Sequence, residues 1–173
     1  MSKYIELMKN FLAEDGLHYT ERMTTNGSVY LRLPYTAKNC DFDIVCDACD
    51  KQDLVMIFIY PTINIKKQDV SRIAELVCRI NQGSTVGFFD FDVDDFTIRF
   101  KSTIDVEGGE LTFKMFVNML HCAILKMDQC FPAFMAVLYG ENSPEMAFKK
   151  YVLDDTTTQD ESTPPDTENK ALH

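Results

Sequence analysis

Two neighbouring stretches decide the fold class: Asp41-Phe42-Asp43-Ile44-Val45-Cys46-Asp47-Ala48 and Leu54-Val55-Met56-Ile57-Phe58-Ile59-Tyr60. In the first, Phe42, Ile44, Cys46 and Ala48 fall on one side of an extended chain, and Asp41, Asp43 and Asp47 fall on the other. Successive side chains of a strand point to opposite faces, so this is a strand with one face in a core and one in water. The second stretch is a continuous apolar run, rich in β-branched and aromatic residues, with Asp50-Lys51-Gln52 as a turn before it and Pro61 after it. It is too short for a typical helix and reads as a well-buried strand.

Upstream, Tyr4, Ile5, Leu7, Met8, Phe11 and Leu12 form the apolar stripe of a surface helix that Gly16 ends. His18 to Met23 and Ser28 to Leu33 flank Thr24-Thr25-Asn26-Gly27. Asn-Gly favours a hairpin because both residues tolerate positive φ, and Pro34, which has no N–H, is expected to end the second strand. Downstream, Val70, Ile73, Ala74, Val77 and Ile80 mark a second helix that stops near Gly83. Gly87 to Asp92 and Phe96 to Lys101 make another hairpin, and Gly108-Gly109 breaks the chain. Thr112 caps a third helix with the stripe Phe113, Phe116, Val117, Leu120, Ile124 and Met127. Pro132 is expected to kink or restart it, and Gly140 to stop it. Ser143-Pro144 opens a short fourth helix through about Val152. The order α-ββββ-α-ββ-α(α) predicts an α+β fold, a twisted antiparallel sheet with helices packed on one face. Residues 1–153 form one domain on this reading. Residues 154–173 hold six acids and one lysine, almost nothing apolar, and are expected to be disordered.

The chain has 173 residues and a formal net charge of −10. Nucleic-acid binding relies on Lys and Arg to neutralise phosphates, so no nucleic-acid partner is expected, and no anionic membrane. No apolar run approaches the ~18 residues of a membrane span. Met1-Ser2-Lys3 leads into the first helix without an apolar export segment, which makes the cytoplasm the expected location. Six cysteines in that setting read as reduced thiols rather than a disulfide scaffold.

The stretch from Arg79 to Gly140 carries an ordered set of motifs. It reads Arg79-Ile80-Asn81, then Gly87-Phe88-Phe89-Asp90-Phe91-Asp92, then Glu107-Gly108-Gly109-Glu110-Leu111-Thr112. A long helix follows with Asp128, Phe131-Pro132 and Leu138-Tyr139-Gly140. This set resembles the bacterial YbjN domain family, with its RIN helix end, G-x-F-x-x-D hairpin and FP helix. The resemblance implies a fold like that of type III secretion chaperones. It implies a sensory-transduction or stress regulator, carries no established catalytic centre, and admits a homodimer. The acidic tail and the cysteines of the third strand depart from the family pattern.

Each constellation that could carry chemistry has a plainer reading beside it. Cys46-x-x-Cys49, with Cys40 nearby, could be drawn as a zinc or redox site, yet a structural zinc needs four converging ligands and residues three apart in a strand face opposite ways. Small core thiols are the plainer reading. Asp90, Asp92 and Asp94 open like a calcium loop but lack its Gly and its bidentate Glu, so solvated turn acids are favoured. Asp41, Asp43 and Asp47 form an acidic patch that is either a water-facing strand or a surface for a basic partner segment. His121 stands alone on the third helix. The aromatic and Met residues of that helix exceed one stripe, enough for core and interface together.

The expectation is a non-enzymatic protein-binding module, chaperone-like or regulatory, without catalytic residues, metal or cofactor. Its partner is a protein, taken by strand addition at a sheet edge or by docking on a helix face. Phe88, Phe89 and Phe91 on the hairpin, and Met115 and Met119 on the helix, are the candidate partner or dimer surface. Two alternatives stand beside it: a metal- or redox-responsive protein using Cys40, Cys46 and Cys49, and an enzyme with a dispersed acidic site built from Asp41, Asp43 or Asp90.

Overall fold

The computed structural model describes residues 2–153. The acidic tail expected over 154–173 lies outside the described residues. Helix α1 (Lys3–Glu14) is followed by strands β1 (Thr20–Met23), β2 (Val29–Thr36), β3 (Asp41–Cys49) and β4 (Leu54–Pro61). A 3₁₀ turn at Lys67–Asp69 leads into α2 (Val70–Gln82), then β5 (Phe88–Asp92), β6 (Thr97–Asp105), α3 (Phe113–Leu138) and α4 (Pro144–Phe148). A π-helical turn, Lys149–Leu153, ends the described chain. The strands form a six-stranded antiparallel sheet in the order β1-β2-β3-β4-β6-β5. The expected α+β order is the observed one.

The pleat sorts the sheet into two faces. Leu33, Ile44, Ile59, Phe100 and Phe89 form one row across five strands, and all are buried. The helices cover this face: α1 on β2 and β3, α3 on β4 and β6, α2 beside β5. Helix α2 contributes Ile73, Leu76, Val77 and Ile80 to the core at i, i+3, i+4 and i+7 spacing. Fully burying each such side chain is worth about 1.5–3 kcal/mol.

Four local expectations are corrected. Strand β2 runs through Pro34 to Thr36. Its pairing with β1 ends at Arg32, so the missing N–H of Pro34 falls where no ladder bond is required, while Pro34 stays in register with Asp43. Strand β4 is buried on one face only: Val55, Ile57 and Ile59 point inward, and Leu54, Met56, Phe58 and Tyr60 are half-buried on a face that no helix among the described residues covers. Helix α3 continues through Pro132, so the chain does not restart there. A proline removes the donor to the carbonyl four residues earlier, here Asp128. Asn39 fills the gap: its Nδ2 donates to the Asp128 carbonyl at 3.1 Å. Its backbone N–H donates to Asp128 Oδ1 at 2.6 Å, and Nδ2 also reaches Oδ2 at 3.1 Å. In the first hairpin only Gly27 takes positive φ (85°), so the turn over Thr24–Gly27 needs one left-handed residue, not two.

Candidate functional site

The exposed edges of the sheet are unequal. On β5 the Phe89 N–H donates to Asn81 Oδ1 at 2.8 Å, and Asn81 Nδ2 donates to the Phe89 carbonyl at 2.9 Å. One side-chain amide thus stands in for a neighbouring strand and closes the β5 edge at Phe89, near its start. In an antiparallel strand a residue's N–H and C=O point the same way, and the direction alternates along the chain. Phe89 points away from β6. Its partner Phe100 therefore turns toward β4, as do Ser102 and Ile104, while Lys101, Thr103 and Asp105 turn toward the β5 side. Strand β5 reaches only as far as Lys101, paired with Phe88. Among the described residues, Thr103 and Asp105 have no backbone partner on that side.

Gly87 explains why the edge opens there. Its φ of +70° swings the chain off the sheet, and a Cβ on it would lie 2.6 Å from the Lys101 carbonyl oxygen. Val86 stands away from the ladder and is exposed. Between the vacated edge and α3 lies a hollow of about 380 Å³, lined by Thr103, Ile104, Val86, Met115, Met119 and Cys122. A second hollow of about 220 Å³ shares Thr85, Val86 and Cys122 and runs on past Leu125 and Lys126. Together they make a groove along α3 with an open strand edge on one wall.

The structure divides the candidate surface residues. Phe89 is 2% exposed, packed at 5.1 Å against Phe100 and 5.2 Å against Phe134. This places it in the core and removes it from the surface, because its strand parity aims it at the helices. Met119 is likewise buried, although one side lines the groove. Phe91 is half-buried against the core. Met115 is exposed at the groove, and Phe88 is exposed on the opposite, uncovered face of the sheet.

That uncovered face holds the acidic patch. Asp41 is exposed; Asp43 and Asp47 are half-buried beside Val45. Asp43 is paired with Arg32 at 2.5 Å, so the patch is partly compensated. Burial without a cation raises the Asp47 carboxyl above its ordinary value, opposed by a 2.8 Å bond from the Ala48 N–H. Asp90 is held by Arg99 at 2.6 Å. Asp43 and Asp90 lie on strands three positions apart, about 14 Å across the sheet, so they do not form one acidic centre.

The cysteines are dispersed. Cys40 and Cys49 lie at opposite ends of β3, about 30 Å apart at the rise of a strand. Cys46 is fully buried, and desolvation pushes its thiol up to about 12. The Cys40 thiol is also pushed up to about 12, by burial and then by the carboxylates of Asp128 and Asp41. Among the described residues no three His, Cys, Asp or Glu side chains converge on a point that could hold a metal ion. His121 is exposed, its Nε2 3.0 Å from Asp15 Oδ2. Sequence reasoning missed Asn39 and Asn81; only the second had a signal, its place at the helix end of the Arg79-Ile80-Asn81 motif.

The family model described as "Putative bacterial sensory transduction regulator", YbjN, matches residues 5–136. The chain belongs to the YbjN family. Its fold is similar to the crystal structure of YbjN from E. coli, described there as "a putative transcription regulator". The TM-score is 0.54 and the identity 17%, over 77% of this chain and 87% of that one. The chain matches no curated protein. The YbjN motifs now have structural roles. Asn81 closes the β5 edge, Gly87 lifts the chain off the sheet, and Asp128 and Pro132 meet Asn39. No helix among the described residues is long and apolar enough to cross a membrane.

Proposed function

We propose that the chain is a non-catalytic, regulatory or chaperone-like protein-binding module that works in the cytoplasm. It takes an extended segment of a protein partner into the groove between α3 and the open edge of β6. The observation that carries this reading is the pair of outward-turned backbone groups at Thr103 and Asp105, beside an apolar wall that includes Met115 and Ile104. An unpaired strand edge offers main-chain hydrogen bonds to any extended peptide, and the adjoining apolar wall selects its alternate side chains. A partner segment would place every second side chain, apolar and of moderate size, against Met115 and Cys122. The net charge of −10 favours a protein over a nucleic acid as the ligand.

Random-peptide display against the whole chain tests this. Selected peptides are expected to alternate apolar and polar residues. Their binding is expected to be lost in Met115→Asp, which charges the wall, and in Thr103→Pro, which removes an edge donor without touching the β4 ladder. Peptides that bind both folded variants as well as the wild type would refute the groove as the site.

A further inference from the structure

The uncovered face of the sheet carries a charge pattern that inverts across β4. From β2 to β5 it runs Arg32, Asp43, then the half-buried Phe58 and Tyr60, then Arg99 and Asp90. The signs are plus, minus, neutral, plus, minus. Arg32 pairs with Asp43 at 2.5 Å and Arg99 with Asp90 at 2.6 Å. Asp43 is in register with Tyr60 and Arg99 with Asp90, and Arg99 donates to Tyr60 Oη at 3.2 Å, so these four groups stand at one height along the strands, while Arg32, in register with Val45 two residues along, reaches back to Asp43.

We propose that a second copy of this chain packs on this face, about a twofold axis lying along β4. A half-turn about that axis keeps height and exchanges sides. Asp43 of one copy then faces Arg99 of the other, and Arg32, two residues along, faces Phe88. The Asp43–Arg99 contact forms twice across the axis, so charge complementarity at that height follows from the pattern of one chain alone. This is the requirement for an interface made by the same patch on both copies. Met56, Phe58 and Tyr60 lie on the axis, flanked by Val45 and Phe88, giving the apolar centre and charged rim of a protein interface. Lys101 sits 5.8 Å from the Phe58 ring and 6.0 Å from the Phe88 ring, with no carboxylate partner among the described residues. It would lie opposite the second copy's Val45, between Asp43 and Asp47. Strands β2 to β5 span roughly 24 Å by about 25 Å, on the order of 600 Å² of projected area before side-chain relief. That approaches the ~800 Å² per partner of a standard interface. The face is separate from the α3 groove, so this inference stands apart from the peptide-binding reading.

Light scattering of the whole chain and of two charge reversals tests it. Wild type is expected at twice 19.9 kDa. Asp43→Arg alone sets two arginines against each other across the axis, and Arg99→Asp alone sets two aspartates, so each is expected as a monomer. Mixed in equal amounts they restore both contacts, and the dimer returns. Recovery on mixing distinguishes a lost interface from a lost fold. If either reversal departs from wild-type circular dichroism, Asp43→Asn and Arg99→Gln read the same contacts, each weakening dimerisation about tenfold. A monomeric wild type, a dimer indifferent to these substitutions, or folded reversals that stay monomeric when mixed would overturn the proposal.

Discussion

Asn39 and Pro132 are coupled through one carbonyl. Pro132 orphans the Asp128 carbonyl, and the Asn39 amide satisfies it. Asn39→Ala is expected to cost about 1 kcal/mol, the usual worth of such a bond. In a Pro132→Ala background the alanine N–H makes the helical bond itself, so the Asn39 penalty should shrink by at least ~0.5 kcal/mol in a double-mutant cycle of chemical denaturation. Equal penalties in both backgrounds would show that Asn39 acts elsewhere. The thiols divide in the same residue-by-residue way. Cys78 and Cys122 are exposed, whereas Cys46 and Cys130 are buried. Burial pushes the thiols of Cys46 and Cys130 up, to about 12 and about 11, starving them of reactive thiolate. At mildly alkaline pH, alkylation followed by mass spectrometry should modify Cys78 and Cys122 in the folded chain, and Cys46 and Cys130 only after denaturation.

At the scale of elements, two tethers fix the margins of the fold. Helix α1 is held by Asp53, which accepts from Lys3 Nζ at 2.9 Å and from Tyr4 Oη at 2.5 Å. These donors hold the Asp53 carboxyl below its ordinary value of 3.8, the Tyr4 hydroxyl first. A lowered folded value gives stability that is present above the unfolded value and fades as pH falls through the folded one. The melting-temperature gap between wild type and Asp53→Asn should therefore be largest near neutrality and narrow below about pH 4. A gap that widens in acid would contradict the tether. Strand β5 is held by Asn81. Asn81→Ala leaves the Phe89 backbone unpaired and should speed amide exchange at Phe89 more than elsewhere in β5. The elements themselves were legible because their periods are strong: the alternation of Asp41 to Ala48 and the apolar stripe of α2 each admit one reading. Pro34 and Pro132 misled for a shared reason. The cost of a proline depends on whether its missing donor was needed, and the end of β1 and the Asn39 amide, which decide that, lie far away in sequence.

For the whole molecule, among the described residues, one layer of helices on one face of a sheet leaves the other face and stretches of strand edge to act, β6 beyond Lys101 among them. The sequence showed the charged outer positions of β3 but not their partners, because Arg32 and Arg99 reach them across strands. It proposed Met115 and Met119 from the apolar surplus of α3, yet hid the groove, which exists because Gly87 turns the chain off β6. It also placed Phe89 on the surface, since parity in a short hairpin is set by the register with β6 and not by local pattern. The central claim is that Thr103 and Asp105 present an open edge for a partner strand. Residue-resolved amide hydrogen exchange, with and without a display-selected peptide, tests it most directly. Thr103 and Asp105 should exchange fast in the free chain, unlike Ser102 and Ile104 in the β4 ladder, and should become protected when the peptide is bound. Protection already present in the free chain, or no change at these two amides on saturation with peptide, would contradict the account.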